Sequence, residues 1–222
     1  MTDIERNIQR LKERVQRAAE RRRRSPEEIT IVAVAKTVGI DAILTAYGVG
    51  ISQFGENRVQ EAKPKIEQLS SLAPDIIWHM VGHLQTNKVK TAVDIFDIIE
   101  SVDSLKLAEA ISLRASKVVP ILIQINVVGE ETKSGFSPTE LLRDVEKIRT
   151  LPNLDVRGLM TIGPLISDPE EVRPVFRQLR EMRDRLGLAH LSMGMTDDFE
   201  VAIEEGATMI RIGRAIFGER KE

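Results

Sequence analysis

The sequence contains no cysteine among its 222 residues, and it has one tryptophan and one tyrosine. The missing thiols exclude a disulfide framework, thiolate metal ligands and a cysteine nucleophile. Long apolar runs are missing too, since none approaches the about 20 residues that cross a bilayer. The N-terminal segment is densely charged, which is unlike a secretory signal. We therefore expect no membrane partner, and a cytoplasmic location fits this composition.

An excess of charge of one sign is also lacking. Lys and Arg number 32 and Asp and Glu number 34, which gives a net charge of −2. This balance removes the global electrostatic argument for a nucleic-acid partner. The run Arg21 to Arg24 is a local exception, and we interpret it as cations that favour a helix C-terminus rather than as a phosphate or RNA patch. His79 and His83 form a weak pattern for zinc, so we expect no metal.

What the chain does have is an alternation of strand-like and helix-like segments. The opening segment, residues 29–36, is almost entirely Ile, Val and Ala before it ends on a lysine, which suits a strand buried on both faces of a parallel sheet. The predicted strands span residues 29–36, 51–54, 76–81, 97–100, 118–128, 156–162, 190–193 and 209–212. This pattern favours an α/β fold, a (β/α)8 TIM-type barrel with an extra N-terminal helix, as one domain over residues 1–222. A doubly wound open sheet has the same local pattern and stays an alternative.

Polar residues follow several of these strands at their carboxyl ends, where parallel α/β folds collect functional groups. Lys36 ends the first strand and is either a chemical group or an ordinary rim residue that reaches solvent. Asn57 follows the second strand and is either a ligand of what Lys36 holds or a helix N-cap. His79 ends the third strand, and we expect it to form hydrogen bonds near the barrel mouth.

The strongest signal lies after the seventh and eighth strands. Ser192 to Thr196 and Arg211 to Arg214 fall where barrels of this type commonly bind phosphate. Ser192 offers a hydroxyl, and Gly213 allows close approach to the backbone. A strand-end lysine opposite a phosphate site suggests a ligand with a carbonyl at one end and a phosphate at the other, and pyridoxal phosphate (PLP) has both. Arg211 is then expected to face the ring nitrogen, which weakens the ring as an electron sink.

These residues resemble the family of PLP homeostasis proteins, whose fold is similar to the N-terminal barrel of alanine racemase. The resemblance covers essentially the whole chain. The motifs that carry it are residues 33–37 (AVAKT), 54–61 (FGENRVQE), 78–88 (WHMVGHLQTNK), 158–160 (GLM), 191–198 (LSMGMTDD) and 211–218 (RIGRAIFG).

The resemblance implies that PLP is bound covalently. Lys36 would carry it as an internal aldimine, Asn57 would lie against the ring, and Arg211 would meet the pyridine nitrogen. Ser192 would hold the phosphate together with backbone groups of the eighth-strand loop. The expected cofactor-binding residues are Lys36, Asn57, His79, Ser192, Arg211, Gly213 and Arg214.

The chain departs from the family pattern at two positions. Thr196 stands where many relatives have serine, and Arg214 stands where some have threonine; both keep the backbone contact to phosphate. Lys133 begins a segment that resembles a racemase segment with arginine at its first position, and its contact with the cofactor is a further hypothesis.

The resemblance implies that a racemase of this type also needs a catalytic tyrosine, delivered with a second domain, that acts on the ring face opposite the lysine. The one tyrosine here, Tyr47, falls in the predicted helix after the first strand. We therefore expect a monomeric PLP-binding protein that acts in intracellular PLP homeostasis without robust turnover, with PLP-dependent apoenzymes as candidate partners. The alternatives are a PLP-dependent racemase-like enzyme with Lys36 as its base, and a Schiff-base aldolase that uses Lys36 without a cofactor.

Overall fold

The computed structural model describes residues 1–130, 132–164 and 167–219. Within these residues, eight parallel strands form a closed barrel in sequence order, and β1 pairs with both β2 and β8. The strands are β1 (Thr30–Val34), β2 (Gln53–Glu56), β3 (Ile77–Met80), β4 (Ile98–Val102), β5 (Val119–Gln124), β6 (Leu154–Met160), β7 (His190–Ser192) and β8 (Met209–Ile212). The predicted TIM-type barrel is confirmed, and the open sheet is excluded because the first and last strands are paired.

The helices pack around the barrel, and α1 precedes β1 as the expected extra N-terminal helix. They are α1 (Asp3–Glu20), α2 (Ile40–Gly48), α3 (Val59–Leu69), α4 (Val89–Ile95), α5 (Leu105–Arg114), α6 (Pro138–Thr150), α7 (Arg173–Arg185), α8 (Phe199–Glu204) and α9 (Arg214–Phe217). Short 3-10 turns occur at Pro26–Glu28, Thr86–Lys88 and Pro169–Val172. Capping boxes at Ser25 and Ser137 begin the first 3-10 turn and α6. In the described part of the chain, no helix is long and apolar enough to span a membrane.

The barrel has two apolar regions, one on each face of its strands. The larger lies between strands and helices, because alternate strand residues point outward. The smaller lies inside the barrel and consists of Val32, Val81, Ile98, Leu122, Met160 and Met209. Arg211 and Glu100 each lie two residues beyond a member of this inner set, on the same face of their strands. The barrel interior is therefore part apolar and part polar.

The arginines at the end of α1 pack against α8. Arg21 Nε contacts Glu204 Oε1 at 2.6 Å, and Arg24 Nη1 donates to the carbonyl of Ile203 at 2.9 Å. Glu205, at the end of α8, lies 3.7 Å from Arg22 and is 1% exposed. Its other partners are Arg173, Arg177 and Arg180 from α7. We call Glu205 with Arg22, Arg173, Arg177 and Arg180 the outer arginine cluster. These ion pairs agree with a structural role for the run rather than a nucleic-acid patch.

Candidate functional site

Lys36 lies at the mouth of the barrel, two residues beyond the end of β1, and is half-buried. The next residue, Thr37, has a φ of +63° and donates its hydroxyl to the carbonyl oxygen of Lys36 at 2.6 Å. A β-branched residue seldom adopts this left-handed conformation, and such strain is concentrated at functional sites. The costly backbone conformation is therefore that of Thr37, in the turn that follows Lys36 at the mouth.

Asn57 follows β2 directly and lies beside the mouth. The helix-cap interpretation is wrong for Asn57, since α3 begins at Val59 and its N-cap position is Arg58. The Oδ1 atom of Asn57 is buried and has no hydrogen-bond partner among the described residues. A side chain at Gly82 would bring its Cβ within 2.3 Å of the Asn57 carbonyl oxygen, so glycine is required where the segments after β2 and β3 meet. Asn57 also borders a cleft of about 520 Å³ between these segments.

A buried ion pair joins the ends of β1 and β2. Lys65 Nζ donates to Glu56 Oε1 and to the carbonyl oxygen of Ala35, both at 2.7 Å. Ala35 precedes Lys36, and Glu56 precedes Asn57. Burial raises the pKa of Glu56, although the nearby Lys65 ammonium opposes that shift. Lys65 therefore fixes the relative position of the two strand ends that carry Lys36 and Asn57.

Inside the barrel, the hydroxyl of Ser192 connects two charged groups. It donates to Glu100 Oε2 at 2.5 Å and accepts from Arg211 Nη1 at 2.7 Å. The second terminal nitrogen of Arg211, Nη2, donates to the carbonyl oxygen of Thr161 at 2.7 Å. Glu100 and Ser192 are 0% exposed and Arg211 is 5% exposed. The donor and the acceptor functions of the Ser192 hydroxyl are thus both used within the barrel.

His79 extends this chain of contacts. Its Nδ1 lies 2.6 Å from Glu100 Oε1, and its Nε2 lies 2.8 Å from Gln53 Oε1. We call Gln53, His79, Glu100, Ser192 and Arg211 the interior polar chain. Burial alone raises the pKa of Glu100, but the hydrogen bonds from His79 and Ser192 and the charge of Arg211 outweigh it, so the net shift is downward. Glu100 is therefore a buried carboxylate.

The two histidines of the weak zinc pattern have different partners. His83 Nδ1 contacts Asp103 Oδ2 at 2.9 Å and is exposed, whereas His79 lies in the barrel interior. Among the described residues, no group of three or more His, Cys, Asp or Glu side chains is arranged to hold a metal ion.

The loops after β7 and β8 meet at the mouth. Thr196 Oγ1 accepts from the backbone nitrogen of Ala215 at 3.4 Å, and the exposed Arg214 Nη2 donates to Asp197 Oδ1 at 2.5 Å. A Cβ added to Gly213 would meet its nearest protein atom, the carbonyl oxygen of Val34, at 3.5 Å, an ordinary contact. Packing within the protein therefore does not require glycine at this position.

Lys133, which the sequence offered as a further cofactor contact, joins two loops at the mouth. Its Nζ donates to Glu130 Oε1 at 2.7 Å and to the carbonyl oxygen of Gly163 at 3.0 Å. Its ammonium has protein partners in this structure, and its contact with a cofactor stays a prediction.

The structure places all seven predicted site residues at the mouth or inside the barrel, at two depths. Around the mouth lie Lys36, Asn57, Gly213 and Arg214; below them, within the barrel, lie His79, Ser192 and Arg211. Sequence reasoning missed Gln53, Glu56, Lys65 and Glu100. The available signal was a charged residue inside a mostly apolar strand, as at Glu100 in Ile98–Val102.

Comparison with known proteins gives consistent matches over the whole length. Residues 3–221 match the family model described as alanine racemase, N-terminal domain. A protein of Aquifex aeolicus named pyridoxal phosphate homeostasis protein is 48% identical over 96% of this chain and 97% of its own length. An Escherichia coli protein of the same name is 39% identical over 99% of this chain and 98% of its own length.

Two solved structures extend these matches. PipY of Synechococcus elongatus, solved with PLP bound, is 38% identical and superposes with a TM-score of 0.81, covering 92% of this chain and 100% of PipY. Alanine racemase of Clostridium difficile is 15% identical with a TM-score of 0.71, and the match covers 99% of this chain and 57% of the racemase. The second match shows a shared fold.

Proposed function

The chain belongs to the family of pyridoxal phosphate homeostasis proteins, and from this membership we propose that it binds PLP at the barrel mouth, held by Lys36, and acts in intracellular PLP homeostasis. PipY, a relative of similar length, was solved with PLP bound. When bound, PLP would supply an aldehyde able to form a C=N bond with a lysine amine, with release of water. We assign that amine to Nζ of Lys36.

The observation that carries this proposal is the order of the strands around the mouth. On the pyridine ring of PLP, the aldehyde stands between the ring hydroxyl and the arm that bears the phosphate. Around the barrel, β1 stands between β2 and β8. A ring attached at Lys36 can thus direct its hydroxyl side toward Asn57, after β2, and its phosphate toward Gly213, after β8.

Two features of the mouth fit such a ligand without further rearrangement. The buried Oδ1 of Asn57 has no partner among the described residues, and a buried polar atom in that state costs free energy. Gly213 is required neither by packing nor by a left-handed φ, since its φ is −108°. A phosphate lying against its backbone would account for the absence of a side chain there.

We assign the phosphate contact to Thr196 rather than to Ser192. Thr196 is half-buried at the mouth and its hydroxyl reaches the backbone of Ala215, beside Gly213 and Arg214. The Ser192 hydroxyl is committed to Glu100 and Arg211 within the barrel. Arg214 contributes its backbone, because its side chain is turned to Asp197.

We further propose that the bound cofactor is held rather than turned over. The one tyrosine of the sequence, Tyr47, lies half-buried on α2. A racemase needs an acid or base on the ring face opposite the lysine. A cytoplasmic monomer that passes PLP to apoenzymes agrees with this arrangement.

Borohydride reduction of the PLP-loaded protein, followed by digestion and mass spectrometry, tests the ligand, the bond and the residue together. We expect the reduced pyridoxyl group on the peptide that contains Lys36. Lys36→Ala should abolish this label while retaining weaker, noncovalent PLP binding. Lys88→Ala, which removes another half-buried lysine near the mouth, is the matched control and should keep the label.

Two outcomes would contradict the proposal. A label on a different lysine, or no label after saturation with PLP, would remove the assignment to Lys36. Sustained racemisation of a single amino-acid enantiomer by the loaded protein would show that the racemase-like alternative is correct.

A further inference from the structure

The interior polar chain ends at Arg211, the residue that the proposed function places against the PLP ring. Arg211 uses its two terminal nitrogens on Ser192 and on the Thr161 carbonyl, so its guanidinium plane is fixed by two contacts at 2.7 Å. Its backbone nitrogen donates to the carbonyl oxygen of Gly194 at 2.9 Å, which ties β8 to the loop after β7. The orientation of the guanidinium therefore depends on Ser192.

The orientation of Ser192 depends in turn on Glu100. A hydroxyl has one proton, and that of Ser192 is donated to Glu100 Oε2, which leaves the lone pairs of Oγ to accept from Arg211. Glu100 Oε1 is taken by His79 Nδ1 at 2.6 Å. Both carboxylate oxygens are thus engaged from opposite sides, so the carboxylate cannot rotate without breaking one of these contacts.

Glu100 also supplies negative charge to a buried guanidinium. The carboxylates that act on Arg211 are Glu100 and Asp198. Asp198 lies in the loop after β7, where its Oδ1 accepts from the backbone nitrogen of Met195 at 2.6 Å. Glu100 is joined to Arg211 by a continuous pair of short hydrogen bonds in a region without solvent, where such contacts are strong.

We propose that Glu100 is a positioning residue for the cofactor ring: acting through Ser192, and fixed from behind by His79, it holds the Arg211 guanidinium at the place and in the charge state that the pyridine nitrogen meets. This inference rests on the proposed function, because it assumes that the ring nitrogen lies against Arg211. In this arrangement Ser192 orients Arg211 through the hydrogen bond that its hydroxyl oxygen accepts from Nη1.

A double-mutant cycle with Glu100→Gln and Arg211→Gln tests the coupling, with PLP affinity measured by spectroscopic titration. Each single variant should bind PLP about tenfold more weakly. Because Glu100 acts through Arg211, the double variant should also be weakened about tenfold, instead of the about hundredfold expected for independent contributions. The label on Lys36 after borohydride reduction should persist in Glu100→Gln.

Glu205→Gln is the matched control, since it neutralises a carboxylate of equal burial that lies outside the barrel. It should leave PLP affinity unchanged. Equal affinity of Glu100→Gln and the wild type, or additive effects in the cycle, would overturn the inference. If Glu100→Gln does not fold, the same cycle with Ser192→Ala and Arg211→Gln decides by the same criterion. Failure of the proposed function is distinct, because it removes the Lys36 label from the wild-type protein.

Discussion

Glu205 and Glu100 are both almost fully buried, and they are supported in opposite ways. Glu205 lies outside the barrel at 1% exposure and contacts four arginines among the described residues: Arg22, Arg173, Arg177 and Arg180. Glu100 lies inside the barrel at 0% exposure, and its side-chain hydrogen bonds among the described residues are to His79 and Ser192. The first carboxylate has a surplus of cations, and the second has one partner for each oxygen.

This difference separates stability from orientation. The arginines of the outer cluster are partly exposed, Arg177 by 50%, so solvent screens them and each can substitute for another. In the interior polar chain each contact joins one donor to one acceptor, and within the described part of the chain no second group is in place to replace a lost partner. Removing a member there leaves its neighbour buried without a partner. The outer cluster should therefore tolerate the loss of one arginine, whereas the interior chain should not tolerate the loss of a member.

The largest expected effect comes from removing one arginine on each side of this comparison. Arg211→Met leaves Glu100 with a buried negative charge that His79 alone opposes, and it should lower the free energy of unfolding by about 3 kcal/mol. Arg173→Met leaves three arginines around Glu205 and should lower the free energy of unfolding by about 1 kcal/mol. Urea unfolding of the two variants without PLP measures both values. Equal losses of free energy of unfolding in the two variants would show that the outer arginine cluster is no more redundant than the interior polar chain.

An effect of intermediate size on the free energy of unfolding is expected from the titration of Glu205 at acidic pH. Burial acts to raise the pKa of Glu205, but hydrogen bonds from Arg173 and Arg177 and the charge of Arg180 outweigh it, and the pKa is lowered. Its contribution to stability is therefore present above the ordinary glutamate pKa of 4.5 and is lost as the pH falls through the lowered value. Glu205→Gln should lower the free energy of unfolding by about 2 kcal/mol at neutral pH. The difference in free energy of unfolding between this variant and the wild type should become smaller as the pH is lowered.

Urea unfolding of Glu205→Gln and the wild type over a series of pH values measures this narrowing. A difference that stays constant down to strongly acidic pH would mean that Glu205 stabilises the fold by packing and not by charge. PLP titration of the same variant at neutral pH should give the wild-type affinity, because the outer cluster does not contact the mouth.

The division between these two regions also marks what the sequence could reveal. The predicted bounds of β8, residues 209–212, match the strand Met209–Ile212, in which all four residues are buried. The run of arginines after α1 was interpreted as structural, and the structure places Arg21 and Arg22 in ion pairs with Glu204 and Glu205. The count of alternating units favoured a closed barrel but left the open sheet possible, and the pairing of β1 with β8 decides between them.

The interior polar chain was harder to predict for a geometric reason. In a parallel barrel both faces of a strand are apolar, so the pattern does not say whether Glu100 points inward or toward the helices. Ser192 was correctly placed at the end of β7, but a shift of one residue decides whether a strand-end side chain faces the barrel interior or the loops above it. The partners of Ser192 come from β4 and β8, which are distant in the sequence.

The smallest expected effect distinguishes the two hydroxyls that the sequence placed in one motif. Thr196→Val keeps the shape of the side chain and removes the hydroxyl that reaches Ala215, so PLP affinity should fall by about fivefold, or about 1 kcal/mol. Thr196→Ser should restore it. Titration with pyridoxal, which lacks the phosphate, should give the same affinity for all three proteins, because the lost contact is to the phosphate. A deficit of Thr196→Val toward pyridoxal as large as toward PLP would move the phosphate contact away from Thr196.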